Sequence, residues 1–96
     1  MRRIYIIMID ERSLDDIIID RIRTCGVDNF RFWNNNWLLA SDYSAEEIYN
    51  ILAADNYANV SIYVQEITLN NGSFWGRMNR TLWDWVKNYM PQNTQQ

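Results

Sequence analysis

Few side chains in this sequence can carry acid–base or metal chemistry, because the chain contains no histidine. The usual general base and the usual nitrogen ligand for metals are therefore missing, and such chemistry falls to carboxylates. Asp10 and Glu11 directly follow an apolar run at residues 4–9, which places them where a strand ends at a sheet edge. In a dimer, two Asp10 side chains would meet and hold a hard cation such as magnesium, which activates water. The alternative is that Asp10 and Glu11 are solvated turn residues, as carboxylates usually are.

A second candidate site is a basic and aromatic cluster near the end of the chain, formed by Trp75, Arg77 and Arg80. An aromatic face beside guanidinium groups can contact the bases and phosphates of a nucleic acid, or the surface of a partner protein. Ion pairs of the arginines with Glu66 or Asp84 are the structural alternative. We therefore predict that Trp75, Arg77 and Arg80 contact a partner or a nucleic acid.

Cys25 is the only cysteine, so an intrachain disulfide and a cysteine-cluster metal site are excluded. It continues the apolar spacing of a helical pattern, which predicts a buried thiol rather than a nucleophile. A lone cysteine is typical of a reducing compartment, and we expect a cytoplasmic protein. The longest apolar run is far shorter than the roughly 20 residues that cross a bilayer, so no membrane span is predicted.

Length and composition predict one folded domain. Of the 96 residues, 48% are hydrophobic, which is too apolar a composition for a disordered chain. We predict a single domain over residues 1–90 and a mobile polar tail over residues 91–96. The net charge is −3, with 9 basic and 12 acidic residues, and this excess of acid disfavours a general nucleic-acid binder.

The elements that position these residues can be predicted from apolar spacing and capping residues. Residues 4–9 are apolar at odd and even positions alike, which is typical of a strand covered on both faces. Ser13 is predicted to cap a first helix over residues 14–25, and Gly26 is predicted to end it in the left-handed conformation. Four later elements follow: a β-hairpin around the asparagines at 34–36, a second helix from a capping box at Ser44 to about residue 55, a strand at 60–65 and a third helix from a cap at Thr81 to about Met90.

The resulting order, βαββαβ followed by a helix, predicts an α+β domain of the ferredoxin-like split βαβ kind with an additional C-terminal helix. The right-handed crossover rule then predicts the strand order 4-1-3-2 with the first two helices on one face. Since the first strand is apolar on both sides, the opposite face must also be covered, either by the C-terminal helix or by a second subunit. The surplus of aromatic residues favours a homodimer.

Several segments together resemble a known family. These are the apolar first strand ending in Asp10, the hairpin Phe-Trp-Asn-Asn-Asn-Trp-Leu-Leu at 32–39, the helix start at 44–48, Trp-Gly-Arg-Met at 75–78 and Leu-Trp-Asp-Trp at 82–85. The pattern resembles the SinR-like small proteins, relatives of the compact CRISPR adaptation subunit described as a metal-dependent endonuclease. The likeness covers nearly the whole chain. It implies a ferredoxin-like, dimeric domain whose metal-linked catalytic position is the Asp that ends the first strand, here Asp10.

Two functions are therefore expected. The first is a non-catalytic or weakly active homodimer that resembles the CRISPR adaptation subunit and is linked to nucleic-acid processing or defence. If it is an enzyme, it is a metal-dependent endonuclease with magnesium at Asp10 and Glu11, although the missing histidine and the excess of acid favour a protein without catalysis. The alternative is a protein-interaction module, a regulator or inhibitor that binds a partner protein through acidic helices and exposed aromatic side chains.

Overall fold

The computed structural model describes residues 2–69 and 76–90. These residues form a four-stranded sheet and three α-helices, which confirms the predicted α+β class. The predicted tail at 91–96 and the candidate residue Trp75 lie outside the described residues. No helix in the described ranges has the length and apolar character needed to span a membrane. In chain order the elements are β1 Arg3–Ile9, α1 Asp16–Thr24, β2 Asp28–Trp33, β3 Asn36–Ser41, α2 Ala45–Leu52, β4 Ile62–Ile67 and α3 Arg80–Tyr89.

The sheet has the strand order β2-β3-β1-β4, and every neighbouring pair is antiparallel. From the opposite edge this is the order 4-1-3-2 that the element sequence predicts. The register sets Tyr5 of β1 opposite Leu39 of β3 and opposite Glu66 of β4. Because successive side chains of a strand point to opposite sides, β1 contributes to two faces. We call the side of Tyr5 and Ile7 the first face, and the side of Ile4 and Met8 the second face.

Helices α1 and α2 cover the first face. Ile18 and Ile22 of α1 and Ile48 and Leu52 of α2 are fully buried. They pack in one core with the first-face side chains of the central strands, Tyr5, Ile7, Ile9, Trp37 and Leu39. Burying side chains of this size contributes about 1.5–3 kcal/mol each, so this core is the main source of stability.

Helix α3 covers one end of the second face. Its buried side chains Leu82, Trp85 and Val86 pack against Ile4 of β1 and against neighbouring side chains of β3. The two-sided apolar character of β1 is therefore explained within one chain, by the C-terminal helix, at the end of the strand where Ile4 lies. At the other end Met8 remains 42% exposed, so α3 leaves part of this face uncovered.

The predicted capping residue is confirmed for one helix, α2, and is wrong for the other two. Ser44 and Glu47 form the predicted capping box of α2. Helix α1 is capped by Asp15, whose carboxylate accepts the N–H of Ile18, and not by Ser13. Ser13 instead ends a short 3₁₀ turn, Glu11–Ser13, because Asp10 accepts the N–H of Arg12 and holds these residues in a tighter turn. Helix α3 is capped by Asn79, which accepts the N–H of Thr81.

Gly26 ends α1 for a different reason from the predicted one. Its φ angle is not in the left-handed range, so the conformational freedom of glycine is not what this position requires. A Cβ atom here would lie 2.4 Å from Leu39 Cδ1 and 2.7 Å from the carbonyl oxygen of Ala40. Glycine is needed because the backbone passes close to β3 as the chain turns from α1 into β2.

Candidate functional site

Asp10 lies at the end of β1, as predicted, but its carboxylate is already engaged. Arg12 donates to both carboxylate oxygens, from Nε to Oδ1 at 3.2 Å and from a terminal nitrogen to Oδ2 at 2.9 Å. The N–H of Arg12 also donates to Oδ1. These hydrogen bonds from Arg12, the side-chain bonds above all, hold the pKa of Asp10 below its usual value. Asp10 is therefore an ionised carboxylate whose charge is balanced by a guanidinium two residues away.

Glu11 does not complete a metal site with Asp10 inside one chain. Its Oε2 accepts a hydrogen bond from the side-chain amide of Asn34 at 3.3 Å, which links the 3₁₀ turn to the β2–β3 turn. Within residues 2–69 and 76–90 no group of three or more acidic or cysteine side chains is placed to hold a metal ion. Since Arg12 occupies both oxygens of Asp10, this donor set does not fit a magnesium ion in the arrangement observed.

Cys25 is buried, with 2% of its surface exposed, as the sequence predicts. Burial raises the pKa of its thiol to about 11. At neutral pH the group is therefore protonated, and it lacks the thiolate character that a nucleophile needs.

The two candidate arginines lie beside different grooves along α3. Arg77 lines a groove of about 580 Å³ between β2 and the chain segment that leads into α3, and Trp33 lines the same groove. Arg80 lines a second groove, of about 520 Å³, together with Trp83 and Lys87. Arg77 and Trp33, which are distant in sequence, thus line the same groove.

The basic residues fall into two groups according to their contacts. Every basic side chain of residues 2–69 contacts an acid or another oxygen acceptor, whereas the basic side chains among residues 76–90 make no hydrogen bond or ion pair with the described part of the chain. The engaged group is Arg2 with Asp42, Arg3 with the Tyr5 hydroxyl, Arg12 with Asp10, Arg21 with Asp55, Arg23 with Asp20 and Arg31 with the Asn34 carbonyl. The unpaired group is Arg77, Arg80 and Lys87, and Asp84 is the one acidic residue among residues 76–90.

The uncovered end of the second face carries a row of side chains, one from each strand. Met8 lies opposite Tyr63 on β4 and Asn36 on β3, and Asn36 lies opposite Trp33 on β2. Tyr63 is 52% exposed and Trp33 is 59% exposed. We call Tyr63, Met8, Asn36 and Trp33 the open row. It holds no charged side chain, and Oδ1 of Asn36 is buried there without a hydrogen-bond partner among the described residues.

Trp33 reaches the second face because β2 contains a register shift between Arg31 and Trp33. Such an irregularity re-aims side chains, and here Phe32 packs with the second-face core while Trp33 contacts it at 5.3 Å between ring centroids. The sequence pattern places Trp33 in the hairpin, but it does not predict that Trp33 is exposed on the second face. The alternation along β1 and β4 could have pointed to Met8 and Tyr63, but no sequence signal predicts the shift in β2.

Comparisons with known proteins returned no relative: no family model matches the chain, and neither a curated protein nor a solved structure is similar to it.

Proposed function

We propose that this protein is a non-catalytic homodimer with the ferredoxin-like split βαβ fold, and that it self-associates through the open row. The fold assignment is supported by the antiparallel order 4-1-3-2 and by two helices, α1 and α2, that pack on the same face. The resemblance of the sequence to the SinR-like relatives of the CRISPR adaptation subunit supports an ancestry in nucleic-acid processing or defence.

The contacts of Asp10 favour a protein without catalysis. A metal-dependent nuclease needs carboxylate oxygens free to bind the cation. In this chain Arg12 donates to both oxygens of Asp10, and Glu11 accepts from Asn34. A second copy would have to displace Arg12 before two Asp10 carboxylates could share a cation.

The open row is the observation that supports the proposed dimer most strongly. Three large side chains, Met8, Trp33 and Tyr63, are exposed across the full width of the sheet. The row is uncharged, so two copies can meet about a twofold axis without repulsion between identical charges. Oδ1 of Asn36 is a buried acceptor without a donor, which costs about 1–3 kcal/mol. If the Asn36 side chain rotates towards the interface, the side-chain N–H of Asn36 in a second copy can donate to this oxygen.

Sedimentation of wild type and of two matched variants tests the dimer. Met8→Asp places a charge in the open row, and we expect the wild-type dimer to become an 11.6 kDa monomer. Ile17→Asp is the control, because Ile17 is similarly exposed but lies on α1, away from the row. Wild type that sediments as a monomer up to high concentration would contradict the proposal, as would a Met8→Asp variant that still dimerises.

Cleavage assays test the absence of catalysis. Purified protein is expected to leave single- and double-stranded DNA and RNA intact in magnesium or manganese. Metal-dependent cleavage that disappears in Asp10→Ala and in the presence of a chelator would restore the endonuclease. Cleavage unchanged by Asp10→Ala would indicate a contaminant or another site.

The second candidate function is a protein-interaction module. It is favoured by one specific observation, namely that the unpaired basic residues Arg77, Arg80 and Lys87 all lie along α3 and its approach. Although the protein as a whole is negatively charged, this local surface is basic, and it therefore suits an acidic partner.

A further inference from the structure

We infer that the groove between β2 and the approach to α3 binds an acidic segment of a partner protein. This inference rests on the second candidate function, and it uses a different surface from the open row. The two surfaces share Trp33, so the groove is fully open when the open row is not covered by a second copy. We call it the Arg77 groove. Its walls are Phe30, Arg31, Phe32, Trp33, Arg77, Met78, Asn79 and Thr81.

The Arg77 groove carries positive charge with no acid on its walls. Arg77 is exposed, and its side chain makes no hydrogen bond or ion pair with the described part of the chain. The guanidinium of Arg31 is fixed in place, because it donates twice to the carbonyl of Asn34 and lies 5.0 Å from the ring centroid of Trp37. Since Trp37 lies on the first face, the guanidinium of Arg31 points away from the groove, and Arg77 is the cation that is free to bind a carboxylate there.

The same groove offers an apolar contact to such a partner. Trp33 is 59% exposed, and tryptophan is among the residues that contribute most to protein interfaces. Trp33 also lines an adjoining apolar recess of about 240 Å³ that includes Leu38, Leu82 and Val86. A segment that alternates acidic and apolar side chains would therefore place carboxylates on Arg77 and a hydrophobic side chain in the recess.

The distribution of charge over the molecule favours a protein segment over a nucleic acid. Residues 2–69 contain six basic and eleven acidic side chains, and four of the six basic side chains are paired with an acid. A polyanion would meet this negative field over its whole length, whereas a short acidic segment contacts the α3 side alone. Arg80 and Lys87 line the second groove along α3 together with one acid, Asp84, so this part of the surface is also net basic.

Fluorescence anisotropy with an array of labelled Glu/Leu and Asp/Phe peptides tests the Arg77 groove, with the same peptides carrying Lys in place of each acid as controls. Wild type is expected to bind acidic members and to bind them more weakly as salt is raised. Arg77→Glu and Trp33→Ala are each expected to weaken binding by about tenfold or more. Arg23→Glu, the same charge change at an exposed arginine of α1, is expected to have no effect on binding.

Two further measurements separate this inference from the dimer. The Met8→Asp monomer is expected to bind the peptides at least as tightly as wild type, because no second copy covers Trp33, and Arg77→Glu is expected to sediment as wild type does. The inference is overturned if no acidic peptide binds, if the Lys peptides bind equally well, or if Arg77→Glu binds as wild type does. Tighter binding of labelled oligo(dT) or oligo(U), lost in Arg77→Glu, would assign the groove to nucleic acid instead.

Discussion

Replacing Gly26 with alanine is expected to destabilise the protein through a steric clash at the point where α1 leads into β2. The added Cβ would lie 2.7 Å from the carbonyl oxygen of Ala40 and 2.4 Å from Leu39 Cδ1. Leu39 is fully buried, so its side chain has little room to move. The Ala40 oxygen accepts the N–H of Val27 at 2.8 Å, so relief of the clash requires movement of hydrogen-bonded backbone.

The magnitude follows from these distances. Forcing an extra methyl group into a packed core typically costs about 1–3 kcal/mol. For a domain of this size, 1 kcal/mol lowers the melting temperature by about 4–8 °C, so Gly26→Ala should lower it by roughly 4–24 °C. Because the neighbour is backbone, we expect the upper half of this range.

Thermal unfolding followed by circular dichroism measures the effect, and Gly76→Ala is the matched control. A Cβ at Gly76 would meet nothing within 4 Å. Both variants reduce the entropy of the unfolded chain, which by itself stabilises the folded state by about 0.4–1 kcal/mol. The difference between them therefore isolates the clash. Equal melting temperatures for the two variants would refute the close approach of Gly26 to β3.

Three other outcomes are expected. Ser41→Ala should lower the free energy of unfolding by about 2 kcal/mol in urea titrations, because the buried hydroxyl donates to the Cys25 carbonyl at 2.7 Å and accepts the N–H of Tyr43; an unchanged midpoint would contradict this. The Cys25 thiol, with its pKa of about 11, should react with iodoacetamide far more slowly in folded than in urea-unfolded protein, and equal rates would show that it is accessible. Burial, with a hydrogen bond to Asp28, raises the pKa of Tyr89 to about 12 from its usual 10. The folded state therefore holds this proton more tightly, so the free energy of unfolding should fall as pH rises from 10 towards 12. In urea titrations the free energy of unfolding of Tyr89→Phe should fall less over this range; an identical loss in the variant would rule Tyr89 out as the source.

The elements of this protein could be predicted from the sequence because they depend on residues close together along the chain. The capping box at Ser44 and Glu47 uses side chains three residues apart, and it begins α2 where expected. The hairpin around residues 34–36 and the order of the strands were also predictable. The exact start of α1 was not, because Ser13 and Asp15 are both good caps and only the hydrogen bonds of Asp10 decide between them.

The hydrogen bonding of the Asp10 carboxylate to Arg12 could have been predicted in part. Arg12 is two residues away, and an aspartate that begins a turn often accepts the N–H of the second following residue. The sequence did not decide whether that arginine would bind Asp10 or turn to solvent. Its bidentate contact in the structure changes the interpretation of Asp10 from a free metal ligand to a charge-balanced cap.

The sequence by itself determined which segments are helices and strands, because periodicity and capping act over a few residues. The tertiary structure alone decided what lies on the second face. Whether α3 covers all of that face or only the end at Ile4 depends on how a distant helix packs, and no local pattern contains that information. The groove that Arg77 and Trp33 line has the same origin, since a register shift in β2 and the docking of α3 bring together residues far apart in sequence.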